Sequence, residues 1–286
     1  MKNKTIKELL EFSIINVDKP SGITSFKTAD KVKKILGAKK AGHFGTLDPK
    51  VTGVLPIAIN RACKLSHYFM KKDKVYIGEM HIHSPVDEKT LRNEMMKFVG
   101  KIMQKPPVKS RVKRVLRERE VHGFEIISIK KKGRGNLVKF KSDVQAGTYI
   151  RKLISDLGEN IGGAHMVGLR RIKAGIFEEK DMVTLEKISS AFQSYKNGNE
   201  EKLREILIPG EIVKQIITSI QVKEESLERL LNGREIRPED VKGKLPNSEM
   251  FSVFSKDRFI GIYQRIKNME NKEGEEIIAK ADFVKN

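Results

Sequence analysis

GHFGTLDPKVTGVLPIAIN, residues 42–60, runs from a glycine-rich turn straight into an apolar segment. Gly42, Gly45 and Gly53 allow the backbone to approach a neighbour or a ligand closely. Asp48 stands before Pro49 and reads in two ways. Aspartate starts turns, and a residue before proline is pushed to extended geometry, so the pair is ordinary turn chemistry. Spacing alone favours that turn reading, but flanking glycines and lysines raise the case for a catalytic carboxylate. VLPIAI then predicts a strand buried on both faces, which belongs inside a large sheet.

Upstream, Ser25 is the expected cap of a helix whose Phe26, Ala29, Val32, Ile35 and Leu36 recur at helical spacing, with Gly37 closing it. Cys63, the only cysteine, lies in a predicted helix as a packed small residue and leaves no disulfide framework or cysteine zinc site. KVYIGEMHIH, residues 74–83, is a second strand in which Gly78 marks a bulge or a close approach. His81 and His83 share one face of it, but no third ligand is near in sequence, so no metal site is expected. Asp87 caps a helix carrying Leu91, Met95, Phe98 and Val99. FEIISIKKKGRGNLVKFKSDVQ reads as a hairpin turning at GRGN. Gly147 and Thr148 lead into a helix with Ile150, Leu153, Ile154, Leu157 and Ile161 on one face. Past residue 208 the pattern changes to a short helix ended by Gly233 and the hairpin MFSVFSKDRFIGIYQRI. Mixed strands and helices with several hairpins predict an α+β fold with a separate small unit over 215–286.

The chain has 57 Lys and Arg against 37 Asp and Glu, a formal net charge of +20 that favours a polyanionic partner. A uniformly lysine-rich proteome is the bland alternative. The charge concentrates at Lys39 and Lys40 before the turn and in KPPVKSRVKRVLRER, residues 105–119, which holds Lys109, Arg111, Lys113 and Arg114. Val108, Val112, Val115 and the paired prolines argue for an ordered segment, so nucleic-acid contact is preferred over a solvated arm. No stretch is apolar enough to span a membrane and no signal peptide opens the chain, so a cytoplasmic protein is expected. No phosphate-cradling glycine loop, serine elbow or reactive cysteine is present, which disfavours ATP-driven and thiol chemistry.

DKPSGITS, GHFGTLDPKVTGVLPIAI, KVYIG, GTYIR and HMVGLRRIKAG occur in the order and approximate spacing of the TruB-type pseudouridine synthases, which the chain resembles from about residue 5 to 180. Within that family, KPPVKSRVKRVLRER and the lead-in KTIKELLEFSIINVDKP are similar to the archaeal relatives of dyskerin, the catalytic subunit of H/ACA guide-RNA particles. The resemblance implies a mixed-sheet catalytic domain over 13–208, a β-rich PUA-like RNA-binding domain over 215–286, and an N-terminal extension over 1–12 packing on the latter. It implies an enzyme that isomerises uridine in rRNA or tRNA with no cofactor and no metal. Its partners would be a box H/ACA guide RNA, the substrate RNA and small accessory proteins. A guide-independent tRNA T-loop enzyme and a non-catalytic RNA-binding or ribosome-assembly protein are the rivals.

By the same resemblance, Asp48 attacks the target uridine and Arg151 pairs with it. An arginine partner favours the ionised carboxylate and fixes its aim. Tyr76 would stack on the flipped base, His43 would support the displaced nucleotide, and Tyr149 and Leu169 would wall the pocket. Lys19 and Pro20 would shape the floor. By pattern alone Tyr76 reads rather as a core strand aromatic, Leu169 fits a core nearly as well as a pocket wall, and His43 fits a hydrogen-bonded turn; the family motif reverses the preference for Tyr76. Phe44 departs from the family, whose relatives usually carry a small residue there, and predicts a bulky ring beside the nucleophile. NGREIRPED lacks the glycine pair typical of a PUA groove.

Overall fold

The computed structural model describes residues 4–106, 113–270 and 276–285. Helix α1 (Ile6–Glu11) is closed by a capping box between Thr5 and Glu8, and its Ile6 and Leu9 are buried. It leads into β1 (Phe12–Lys19), α2 (Ser25–Leu36), β2 (Ala41–His43) and β3 (Thr52–Asn60). Thr24, not Ser25, caps α2, accepting the Lys27 amide. Ser25 is spent elsewhere, on the loop before β3. Gly37 ends α2 in the left-handed region, as its sequence predicts. From Val54 to Ile59 every apolar side chain of β3 is buried, which is the doubly covered strand read from VLPIAI.

Cys63 sits half-buried in a single 3-10 turn, Arg61–Leu65, ahead of α3 (Ser66–Met70). The chain continues through β4 (Lys74–Ile82), α4 (Glu88–Met96), β5 (Gly100–Gln104), β6 (Arg117–Lys132) and β7 (Gly135–Val144). Asp87 caps α4 by accepting the Thr90 amide, while Phe98 and Val99 lie just past its end and still pack on the core. The β6–β7 hairpin turns at Gly133, whose φ is 61°. Then follow α5 (Ile150–Asn160), β8 (Ala164–Ala174), β9 (Phe177–Glu178), α6 (Leu185–Lys196), α7 (Glu201–Ile206) and β10 (Ile208–Pro209).

These strands form one sheet in the order β10-β1-β3-β8-β4-β7-β6-β5, with β2 added on β3 and β9 on β8. Its two halves are internally antiparallel but meet through a short parallel contact, Thr52 opposite Arg170 and Gly53 opposite Arg171. Gly53 makes that seam possible. A Cβ there would lie 2.2 Å from the Arg171 carbonyl oxygen, and its φ of +98° is one that only glycine adopts cheaply. Gly78 is the predicted close approach, since a Cβ there would strike Phe140 and Leu169. All the helices named so far except α3 pack on one face of this sheet, where Leu153, Ile154 and Leu157 of α5 join Val32 of α2 and Met80 of β4 in the main core, while α3 packs on the other through Tyr68 and Phe69.

The remainder forms β11 (Ser219–Val222), α8 (Leu227–Leu231), β12 (Val241–Lys242), β13 (Met250–Ser255), β14 (Arg258–Glu270) and β15 (Glu276–Val284). Its five strands run in the order β12-β11-β13-β14-β15. Leu230, Ile236, Phe251, Val253 and Tyr263 give it a core of its own. A second apolar cluster joins the sheets, and in it Phe12 stacks on Phe259 at 5.6 Å and on Phe283 at 6.0 Å. Of the basic segment, residues 107–112, with Val108, Lys109, Arg111 and Val112, lie outside the described residues. Lys113, Arg114, Val115 and Leu116 are exposed and belong to no helix or strand.

Candidate active site

The loop between β2 and β3 carries Asp48 and is fastened on both sides of it. Before it, the Leu47 amide donates to Ser25 Oγ at 2.7 Å, and the Ser25 hydroxyl donates back to the Leu47 carbonyl at 3.0 Å. After it, the Pro49 carbonyl accepts from Lys19 Nζ at 3.0 Å and from the Gly22 amide at 2.9 Å. The Val51 amide closes a turn on the Asp48 carbonyl at 3.0 Å. The turn reading of Asp48 therefore holds for its backbone, which leaves its side chain free to point out.

That carboxylate meets Arg151 Nη2 at 2.7 Å, with both side chains about half exposed (46% and 55%). Arg151 is in the first turn of α5, so helix and loop converge on one ion pair. Behind the loop sit two buried cations. Arg171 is the largest fully buried side chain; it donates to Val54 O at 2.7 Å and Gly45 O at 3.2 Å, gripping both ends of the turn. Lys19 is also fully buried, and it donates to Pro20 O at 2.8 Å as well as to Pro49. Burial pulls the Lys19 ammonium below its ordinary range, and the Asp48 carboxylate opposes that shift. Lys74, on β4, is pushed down to about 8, chiefly by burial and then by the Arg171 charge. The local field is positive, suited to a phosphate-bearing substrate over a carboxylate.

Tyr76 lies on β4 opposite Arg171 and is nearly buried. Leu169 on β8 pairs with Gly78 and packs on the main core. Tyr149 is the residue immediately before α5; its amide donates to Gln104 Oε1 at 2.9 Å, which ties the start of that helix to β5. His43 ends β2, and burial, then the Arg171 charge, holds its imidazole below the usual range, toward the neutral form. Its Nδ1 is buried with no hydrogen-bond partner among the described residues. Lys39 and Lys40 are exposed, their amides both held by Asn60 Oδ1 at 2.9 and 3.1 Å.

Phe44 overturns its expectation. The ring is 1% exposed and stacks on Phe69 at 4.9 Å with an interplanar angle of 4°, beside Phe177. Its amide donates to the Pro56 carbonyl at 2.9 Å, and its side chain is part of the second apolar cluster. Sequence reasoning missed Ser25 and Arg171 as the clamps of the loop. Arg171 carried a faint signal, since a paired arginine inside an apolar, glycine-bounded strand needs an internal partner. Ser25 carried none, because a helix start explained it equally well.

A family profile described as TruB family pseudouridylate synthase (N terminal domain) matches residues 33–150, and one described as tRNA pseudouridylate synthase B C-terminal domain matches 151–213. A probable tRNA pseudouridine synthase B of Korarchaeum cryptofilum is 44% identical over 82% of this chain and 71% of its own length. That of Pyrobaculum islandicum is 38% identical over 98% of this chain and 87% of its own. Among solved structures, the archaeal box H/ACA sRNP Nop10-Cbf5 complex contains a chain matched with TM-score 0.84 and 31% identity over 99% of this chain and 88% of that one. A Cbf5-Nop10-Gar1 complex contains one with TM-score 0.86 and 33% identity at the same coverage.

Proposed function

We propose that this chain, which belongs to the TruB family of pseudouridine synthases, isomerises uridine to pseudouridine in RNA as the catalytic subunit of an archaeal H/ACA particle. The observation that carries the catalytic part is the Asp48–Arg151 pair at 2.7 Å on a loop whose neighbours are all fastened. An aimed, charge-assisted carboxylate is what a nucleophile of this kind needs. The guide-dependent part rests on the fit of the whole chain, second sheet included, to chains that sit in H/ACA complexes.

In this reading Asp48 attacks the flipped uridine at the base or at the anomeric carbon. The N-glycosidic bond breaks, uracil turns within the pocket, and a carbon–carbon bond forms in its place, while the bond made to Asp48 breaks and returns the free carboxylate. The proton lost from that ring carbon is balanced by one gained at the freed nitrogen, so no redox partner or energy source is consumed. Arg151 aims the carboxylate, Tyr76 stacks on the base and offsets part of the cost of flipping, and Leu169 and Tyr149 wall the site. His43, in its neutral form, supports the displaced nucleotide. Lys19 supports from below by holding Pro49. Lys39, Lys40, Lys109, Arg111, Lys113 and Arg114 would take phosphates.

We assign catalysis to 13–208 and an RNA-gripping, PUA-like role to 215–286, a division supported by the separate core of the second sheet. Guide RNA and small accessory proteins are the expected partners, and the cytoplasm the expected place. A guide-independent tRNA enzyme is the second reading, favoured by the printed names of the sequence relatives. Purified protein is given a T-loop transcript alone, and separately a guide RNA with its target and accessory proteins, and pseudouridine is mapped. Conversion only with the guide supports the proposal; conversion of the bare transcript moves it to the second reading. Asp48→Asn is expected to bind RNA and form no product in either arm.

A further inference from the structure

His81 and His83 acquire a third neighbour that is distant in sequence. Strand β8 runs antiparallel to β4 and sets His165 directly opposite His81. One nitrogen from each ring lies within 4.8 Å of the other two. His83 Nε2 and His165 Nδ1 are 2.8 Å apart, and the ring centroids are 5.1–5.7 Å apart. From these distances we propose that His81, His83 and His165 form a binding site for one borderline divalent transition ion of the zinc class.

Three imidazoles with no carboxylate among them select such an ion over magnesium or calcium, which need oxygen ligands. In a tetrahedral zinc site with bonds of about 2.0–2.1 Å, donor atoms stand about 3.3 Å apart, so the trio closes on an ion by small ring rotations. His81 Nε2 also makes a long contact, 3.4 Å, with the Lys132 carbonyl, the sort of backbone acceptor that orients a ligating imidazole. The turn before β8 leaves room for His83: Gly163 has φ +103°, and a Cβ on it would lie 2.5 Å from His83 Nδ1.

The trio lies outside the catalytic machinery. His81 is five positions along β4 from Tyr76, about 17 Å away at strand rise, on the opposite face from the buried Met80 and Ile82. His83 and His165 are exposed, so a fourth position is open to water. An ion there would clip the end of β4 to the start of β8 and stabilise the folded chain by mass action.

The test uses full-length, tag-free protein stripped with a chelator and titrated with Co²⁺, read by visible absorption, and with Zn²⁺, read by calorimetry. One equivalent is expected, with tetrahedral cobalt bands and a rise in Tm with Zn²⁺. His165→Ala and, separately, His81→Ala are expected to weaken binding at least about tenfold and to abolish the Tm rise. His122→Ala, outside the trio, should bind as the wild type does, and circular dichroism checks that each variant is folded. A wild-type chain that takes up no Co²⁺, or trio variants that bind as tightly as it does, overturns the proposal.

Discussion

Three glycines around the Asp48 loop should respond to alanine on a graded scale set by their surroundings. At Gly42 an added Cβ would meet Cys63, its Sγ at 3.6 Å and its Cβ at 4.0 Å, ordinary contacts with no positive φ to strain. Gly42→Ala is therefore expected to be neutral or stabilising by about 0.5 kcal/mol, through the unfolded chain. Gly22 has φ +90° but open space around the Cβ position, so Gly22→Ala pays conformational strain alone, about 1–2 kcal/mol. Gly53 combines φ +98° with a Cβ position 2.2 Å from a backbone oxygen and 3.0 Å from Arg170 Cγ. Strain and overpacking each cost about 1–3 kcal/mol, so Gly53→Ala should lose about 4 kcal/mol. That is a large share of the roughly 5–15 kcal/mol of a typical domain. Urea unfolding by circular dichroism reads all three, and pseudouridine formation by the folded fraction of Gly53→Ala should fall too, because the seam carries the Arg171 clamp on Gly45 and Val54. A Gly53→Ala protein no less stable than Gly22→Ala would refute the claim that backbone contact at the seam joins the half-sheets.

Arg151→Lys keeps the charge but loses the planar fork that aims Asp48, and turnover should drop about a hundredfold while stability stays within about 1 kcal/mol of wild type, since the pair is half exposed. Single-turnover assays and a urea midpoint separate the two effects. Phe44→Leu should cost about 1–3 kcal/mol by leaving space beside Phe69 and Phe177, with activity per folded molecule retained; a fall in turnover at unchanged stability would put the ring back at the site. Lys74 has a folded value of about 8 against an unfolded one near 10.5, so between those values the unfolded chain binds the extra proton and stability rises with pH. Measured against Lys74→Met, wild type should gain on the order of 2–3 kcal/mol from pH 7.5 to 10.5; a flat difference would mean the ammonium is well solvated.

What the sequence disclosed follows from how local each cause is. Gly37 ending α2, Asp87 capping α4, the hairpin at Gly133 and the doubly buried β3 all depend on a few adjacent residues, and all form as read. Ser25 was misassigned because its local explanation, a cap, competes with a partner 22 positions away. Arg151 was placed beside Asp48 by family resemblance, since nothing in either local stretch fixes their distance. Phe44 is read as a ring beside Asp48 from its departure from a usually small family position, whereas contacts distant in sequence, with Phe69 and Phe177, seat it in the core. The histidine trio stayed invisible for the reason that hides most sheet-built sites: strand pairing, not spacing, brought His165 to His81.

The stack of Phe12 on Phe259 and Phe283 has a mechanical meaning. Gly210 lies so close to the Phe12 ring that a Cβ on it would stand 2.5 Å from the ring carbon Cε1, so chain leaves the large sheet through a gap already filled by that aromatic joint. Two sheets welded in this way form a caliper with its jaws locked. Any RNA that touches both is held at one span, and the length of nucleic acid between the two contacts is measured by the protein rather than chosen by the RNA.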